Sequence, residues 1–375
     1  SVYDSGTHIP LVVRIPEPFR TGDQGQPGTV NDQLVSSIDF GPTVLNLAGI
    51  DIPDSMQGRP FLGGDLPPER EYVFAARDRM DERFEIIRTV RYKRFRYIRN
   101  YEPLKSWYQY INTAEKGATM RELRRLHEAG ELTTAARRYF APTKPVEELY
   151  DCRADPHEIN NLAADPAYAD VLERMRQAHR QWVLETRDLG LIPEPIIVER
   201  RDQLGSEYDI LRQPGSEQYN IQLATIAALA SEGAAALPHL IDAADDPDSA
   251  IRYWAAVGIG NIGEPARHRA ADIMEATLSD ESSAVRTAAA RALCRMGQPE
   301  PALPVLIHEL TNGEQWERLH AAIVLDQIDE QARPVIEQTK QGLEYQKGFN
   351  SDGKYRVRVT NRALNELLGT SNEVP

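Results

Sequence analysis

The chain has 375 residues, which at about 150 residues per domain makes two or three folding units with a substantial core. Its 43 Lys and Arg against 57 Asp and Glu give a net charge of -14, which repels a phosphate backbone and argues against a nucleic-acid partner. Two cysteines, Cys152 and Cys294, are too few for a disulfide framework, and no apolar run approaches the roughly 18 residues a membrane span needs.

The opening Ser1-Val2-Tyr3-Asp4-Ser5-Gly6 carries no leader pattern and reads as an interior start. Leu11-Val12-Val13-Arg14-Ile15, between Pro10 and Pro16, predicts a buried strand whose sheet partners come from elsewhere. A Gly/Pro-rich loop over 22–28 precedes a helix over 38–47, where Ile38, Val44, Leu45 and Leu47 share an apolar face and Gly49 supplies the stop. Strands are predicted at 72–76, 84–90 and 92–99, the last with Phe95 and Tyr97 on one side and Arg94, Arg96 and Ile98 on the other. Their short connections favour an antiparallel sheet. A helix at 120–130, a strand at 148–151 and an amphipathic helix over 168–186 complete an α+β unit, with a less regular stretch to about residue 213.

From Gln218 the texture changes to alanine-rich helical pairs. Asp280-Glu281-Ser282-Ser283-Ala284-Val285-Arg286 follows Asp246-Pro247-Asp248-Ser249-Ala250-Ile251-Arg252 by 34 residues, and a degraded third copy places Arg318, Ala321, Ala322, Leu325 and Ile328 a further 32 on. The unit is a two-helix hairpin, which buries its apolar face only by stacking on neighbours. This pattern resembles a short HEAT or PBS-lyase HEAT array; an irregular helical bundle is the plainer account. In the tail, Lys354 to Val359 reads as a strand.

No HExxH, GxSxG, Walker loop or glycine fingerprint occurs. His8, beside Gly6 where a strand is expected, is either a substrate contact or a loop residue. Arg88, Arg91, Lys93, Arg94, Arg96 and Arg99 form a basic cluster in an acidic chain, readable as a charged surface strand or as an anion pocket. Tyr101, Trp107, Tyr108 and Tyr110 suit a sugar face as well as a core edge. Asp155, His157, Glu158 and Asn160 have metal-capable atoms but also make a good capped loop.

Five ordered segments carry a resemblance. These are Tyr3 to Pro16, Val35 to Ile50, Met56-Gln57-Gly58-Arg59-Pro60-Phe61-Leu62, the strand Arg91 to Asn100, and Glu148-Leu149-Tyr150-Asp151 with Asp155 to Leu162. Together they resemble the C-terminal part of the type I sulfatases of the alkaline-phosphatase-like superfamily. The resemblance implies an α/β plus α+β fold: the end of the sulfatase α/β domain (1–70), an antiparallel-sheet subdomain (71–190), a linker (191–217), an α-solenoid of HEAT-like repeats (218–345) and a tail (346–375). It implies hydrolysis of sulfuric esters, of a sulfated sugar or an aryl sulfate, using calcium and a formylglycine made from Cys or Ser.

The sequence departs from the family in one respect. Neither Cys152 nor Cys294 stands in the Cys/Ser-x-Pro-x-Arg pattern that formylglycine needs. The expectation is therefore a sulfatase fragment without nucleophile or metal ligands, inactive alone, with calcium and formylglycine belonging to a complete parent. His8, Arg99, Tyr101 and Trp107 are the residues that the resemblance makes candidates for lining the substrate cleft. Two alternatives stand beside this reading: a phosphonate or phosphodiester hydrolase on the same scaffold, and a non-catalytic module in which the repeats bind a protein partner or self-associate.

Overall fold

Alternating apolar residues over 84–98 build the sheet that organises the first part of the chain. In the computed structural model, residues 2–374 are described apart from Thr21, Asp23 and residues 346–349, so the expected start of the tail lies outside the described residues. Strands β1 (Val73–Met80), β2 (Arg83–Arg91), β3 (Phe95–Asn100) and β4 (Glu147–Asp151) form one sheet in the order β1-β2-β3-β4. β2 with β3 and β3 with β4 are antiparallel, Val90 facing Tyr97 and Tyr97 facing Leu149. Chain order equals sheet order, although only β1 to β3 are joined by short connections, residues 101–146 intervening before β4.

The chain divides into two compact units: residues 1–77, 87–100 and 147–181 make the first, and residues 78–86, 101–146 and 182–375 the second. In the first, Val90, Phe95, Tyr97 and Leu149 on one sheet face pack with Leu172 and Met175 of the amphipathic helix Ala169–Thr186. Ile87, Ile98 and Tyr150 on the other face pack with Val2. The predicted sidedness of β3 is thus realised, with Arg96 carried into the interior beside Ile98.

Two expectations about residues 1–50 fail. Leu11 to Ile15 forms no strand; Ile15 is buried, but Val12 is 92 % exposed and Leu11 and Val13 are 47 % exposed. A β-branched run is only a strand when a neighbour accepts its ladder, and among the described residues none does. Helix α1 (Phe40–Leu47) forms as expected but faces the opposite way: Asp39, Pro42 and Thr43 are buried, while Ile38, Val44 and Leu47 are exposed. Asp39 decides this orientation. Its carboxylate accepts from the Arg59 and Ser36 backbone N–H groups, both at 2.8 Å, and pairs with the Arg70 guanidinium. Burial acts to raise the Asp39 pKa, and these donors outweigh it to hold the carboxyl below its ordinary value.

The second unit holds the repeats. After α2 (Ala118–Glu128), α3 (Ala169–Thr186), which begins in the first unit, and α4 (Glu194–Leu204) come α5 (Glu217–Leu229), α6 (Leu237–Ala243), α7 (Ser249–Ile262), α8 (Arg267–Thr277), α9 (Ser283–Arg295), α10 (Pro299–Asn312) and α11 (Gln315–Gln327). Pairs α6–α7, α8–α9 and α10–α11 are the hairpins, and α5, α7, α9 and α11 pack in one row. The recurring Arg closes each turn: Arg252 donates to the Asp246 and Pro247 carbonyls at 2.9 Å, and Arg286 to those of Asp280 (2.7 Å) and Glu281 (2.9 Å). Arg252 also pairs with Asp280 of the next repeat at 2.7 Å. Each Arg thereby satisfies carbonyls of the turn that joins the two helices of its hairpin.

Residues 191–217, expected as a linker, carry α4 and bury Leu191, Ile192, Ile196, Ile210 and Leu211 in the repeat core. Residues 354–359, expected as a strand, belong to α12 (Asn350–Leu368), which packs on α11. Val357, Thr360, Leu364 and Leu367 are buried at three- and four-residue spacings, the helical period that a six-residue window does not expose. Among the described residues no helix is long and apolar enough to cross a membrane.

Candidate functional site

The first unit concentrates its polar chemistry where the N-terminal segment meets β3 and β4. Asp4–Thr7 forms a single helical turn, with the His8 N–H donating to the Asp4 carbonyl at 2.9 Å and the Thr7 hydroxyl to the Tyr3 carbonyl at 3.0 Å. The turn is held from below by Arg96, whose guanidinium bonds the Val2 carbonyl, the Asp4 carboxylate and the Thr7 hydroxyl (3.0 Å) and pairs with Glu158 at 2.6 Å. Arg91 lies 3.4 Å from Asp4. The Asp4 N–H donates to Glu158 at 2.7 Å.

A second anchor lies alongside. Glu148, with no exposed surface, accepts from the hydroxyls of Tyr3 (2.7 Å) and Tyr150 (2.6 Å) and from the Asn100 amide (2.7 Å). A buried carboxylate needs such donors to remain ionised. Glu158 sits in a left-handed backbone conformation at φ 53°, in the loop after β4, and this turns its carboxylate inward. The loop itself is capped as expected, Asp155 accepting from Ile159 N (2.8 Å) and Asn160 N (2.6 Å). Burial raises the Glu158 pKa and Arg96 opposes it.

This geometry overturns one expectation outright. The chain was expected to contain no metal ligands, yet Asp4, Cys152 and Glu158 each offer a donor atom within 4.8 Å of the others. A metal-capable group is present, and inactivity cannot be argued from its absence. The donors do not match calcium, which takes six to eight oxygens: the group supplies two carboxylates and a thiol, and burial pushes that thiol up to about 12. The Arg96 guanidinium already stands against both carboxylates as their cation.

The four residues expected near substrate have distinct environments. His8 presents its ring to solvent with 76 % of the side chain exposed, Nδ1 lying 3.7 Å from Asp4. Arg99 is buried in β3. In the second unit, Tyr101 is buried with its ring 6.0 Å from that of Trp254. Trp107 is half-buried, and its carbonyl accepts from Arg83. Tyr108 packs on Tyr139 and Phe140, the core-edge alternative for the aromatic cluster. The basic cluster is neither of the forms expected of it: Arg88, Arg96 and Arg99 are buried, so it is not a surface strand, and Arg96 is satisfied by acids of the protein itself. The anchoring roles of Arg96 and Glu148 went unread. Their signal was a charged residue next to Tyr97 and Ile98, or Leu149 and Tyr150, in a strand too apolar to be exposed.

A four-stranded antiparallel sheet backed by one helix, followed by stacked helical hairpins, is the arrangement of a sulfatase C-terminal region joined to an α-solenoid. Residues 1–137 match the family model described as N-sulphoglucosamine sulphohydrolase, C-terminal, and residues 237–326 match HEAT repeats. Residues 1–137 thus carry a sulfatase-type (alkaline-phosphatase-like) C-terminal domain, and a HEAT-repeat region is present separately. Among curated relatives, an ulvan-active sulfatase of Formosa agariphila is 39% identical over 199 residues, 53% of this chain and 32% of that protein. The N-sulphoglucosamine sulphohydrolase of Homo sapiens is 30% identical over 216 residues, 53% of this chain and 41% of that protein. The chain thus spans 32% to 41% of the length of these relatives. A solved structure of a protein with its substrate D-glucosamine-2-N,6-O-disulfate covers 39% of this chain and 23% of its own at 18% identity and a TM-score of 0.25, too distant to carry an argument.

Proposed function

We propose that this chain is the C-terminal part of a sulfuric ester hydrolase acting on a sulfated sugar or an aryl sulfate, and that His8 contacts the substrate's leaving group. The observation that carries this reading is the fixed turn Tyr3–His8: Arg96 and Glu148 immobilise its base while His8 remains open to solvent. A rigid scaffold beneath an exposed imidazole is what a positioned substrate contact needs. Calcium and formylglycine, which this superfamily generally uses, would be held by residues outside these 375; they supply polarisation of the sulfate oxygens and an oxygen nucleophile. Val12, Phe19, Val30 and Val44 are exposed apolar side chains of the kind that another part of such a fold would bury. Arg99 and Tyr101, both buried, contribute as packing residues, and Trp107 stays at the margin of the reading. The repeats would supply a contact surface for a protein partner or a second copy of the chain.

The test is hydrolysis by the intact gene product containing this chain, assayed on an aryl sulfate, sulfated oligosaccharides and a phosphodiester. Sulfate release is expected, with His8→Ala lowering kcat/KM on the sulfated sugar about tenfold. Phosphodiester cleavage without sulfate release would transfer the assignment to a phosphodiester or phosphonate hydrolase, and no hydrolysis of either would leave a binding module. Because His8 is exposed, its replacement is expected to change stability by less than about 0.5 kcal/mol, read by urea denaturation.

A further inference from the structure

The second unit contains a pocket unrelated to the Arg96 anchor. It is lined by Tyr253 and Val257 of α7, Ala284, Thr287, Ala288 and Arg291 of α9, residues of α11 that include His320 and Gln327, and Phe84, Glu102 and Lys105. Thr287 and Arg291 stand one turn apart on α9 and so share a face, and the alanines at 284 and 288 leave the space above them open. The accessible interior is about 40 Å³, enough for roughly three waters and too small for a sugar ring.

Three observations converge on what this space holds. Arg291 has no carboxylate within ion-pair distance among the described residues; its bonds are to neutral groups and long, 3.2 Å to Gln327 and 3.3 Å to Asn261. Thr287, 4 % exposed, has a buried hydroxyl with no hydrogen-bond partner among the described residues. Tyr253, 6 % exposed, lines the same space and carries a hydroxyl. Of the remaining charges, Glu102 attracts Arg291 but forms no ion pair with it among the described residues. Lys105 is paired with Glu102 and donates to the Phe84 carbonyl at 2.8 Å, and His320 is bonded at 2.9 Å to Glu194, which Arg79 also pairs. The walls therefore carry one guanidinium in excess and an unused hydroxyl beside it, inside a chain whose net charge is -14. Arg291 is half-buried, and an anion that reaches it with several acceptor oxygens would supply the close counter-charge it lacks.

We propose that this pocket binds one small inorganic oxyanion of the sulfate or phosphate class, with Arg291 supplying the charge and the Thr287 and Tyr253 hydroxyls donating hydrogen bonds. The site is independent of the catalytic reading above, since its occupancy is read by binding alone. The experiment titrates the 375-residue chain with sodium sulfate, and separately with phosphate and acetate, at an ionic strength held constant with sodium chloride, following Tm. Sulfate stabilises many proteins without a site, so saturation and its loss in variants carry the result. A saturable rise in Tm is expected with sulfate or phosphate, abolished in Arg291→Gln and shifted to about fivefold higher anion concentration in Thr287→Val. Unsaturating rises equal in wild type and Arg291→Gln would overturn the proposal, as would saturation by acetate but not by either oxyanion. Should Arg291→Gln fail to fold, Thr287→Val and Tyr253→Phe decide: unchanged saturation in both rejects the site.

Discussion

The sheet unit and the repeat stack fill their interiors with different chemistry. Around β3 and β4 the buried groups include Arg88, Arg96, Asn100, Glu148 and Glu158, tied together by oriented hydrogen bonds and ion pairs. Between α7 and α9 the contacts are small and apolar: Ala255, Ala256, Ala289, Ala290 and Ala292 have no exposed surface. A Cβ on Gly258 would lie 2.8 Å from the Ala230 Cα, and one on Gly260 would lie 3.0 Å from the Ala292 Cα. Charge placement fixes one particular segment, Tyr3 to His8, on the sheet. Close backbone approach instead fixes the spacing of α7 against Ala230 and Ala292. The first device suits a site and the second an extended scaffold.

Removing Arg96 should break the comparison most sharply. Arg96→Met leaves the buried Glu158 without its cation and Asp4 with Arg91 alone, and a loss of about 5 kcal/mol is expected in the sheet unit. Hydrogen-exchange protection should fall in β3 and β4 and stay unchanged in α7; equal losses in both would mean the two regions do not differ as described. Trp254→Ala tests the other side. The Trp254 indole is fully buried and donates to the Leu191 carbonyl at 2.7 Å, so a cavity and an orphaned acceptor should cost about 4 kcal/mol, read by urea denaturation of the repeats. Gly258→Ala should cost about 2 kcal/mol by forcing α7 away from Ala230, measured as a drop in Tm; no drop would show the helices can part freely.

A pH dependence supplies a test of a different kind. Burial alone would raise the Glu194 pKa, but Arg79 and His320 outweigh it and bring the carboxyl down to about 2. A folded-state pKa below the unfolded value near 4.3 means that Glu194 stabilises the fold above that pH and loses its contribution as pH falls toward 2. Glu194→Gln should flatten that acid limb in a Tm-against-pH series; an unaltered limb would place the acid sensitivity in the sheet unit's carboxylates.

Legibility followed the range of the interactions. The repeats were readable because Asp-x-x-x-x-x-Arg recurs in register, and each Arg bonds carbonyls five and six residues back. β3 was readable because its period of two is local. The orientation of α1 was not, since it is set by Arg59 and Arg70, 20 and 31 residues from Asp39. The Arg96 anchor was not either: Asp4 and Glu158, its two acids, are 154 residues apart. Metal capability at Asp4, Cys152 and Glu158 escaped for the same reason, because no spacing motif links residues that only a fold brings together.

By itself the amino-acid sequence determined the element types, the meander of strands, the hairpin repeat and the family of the first region, all of which rest on periodicities and motifs within a few turns of chain. Only the tertiary structure decided which charges went inside and where the apolar face of α1 points, and it also made helices of the supposed linker and of residues 354–359. The physical reason is that a buried charge or an amphipathic face is placed by its partner, and here the partners lie tens to hundreds of residues away.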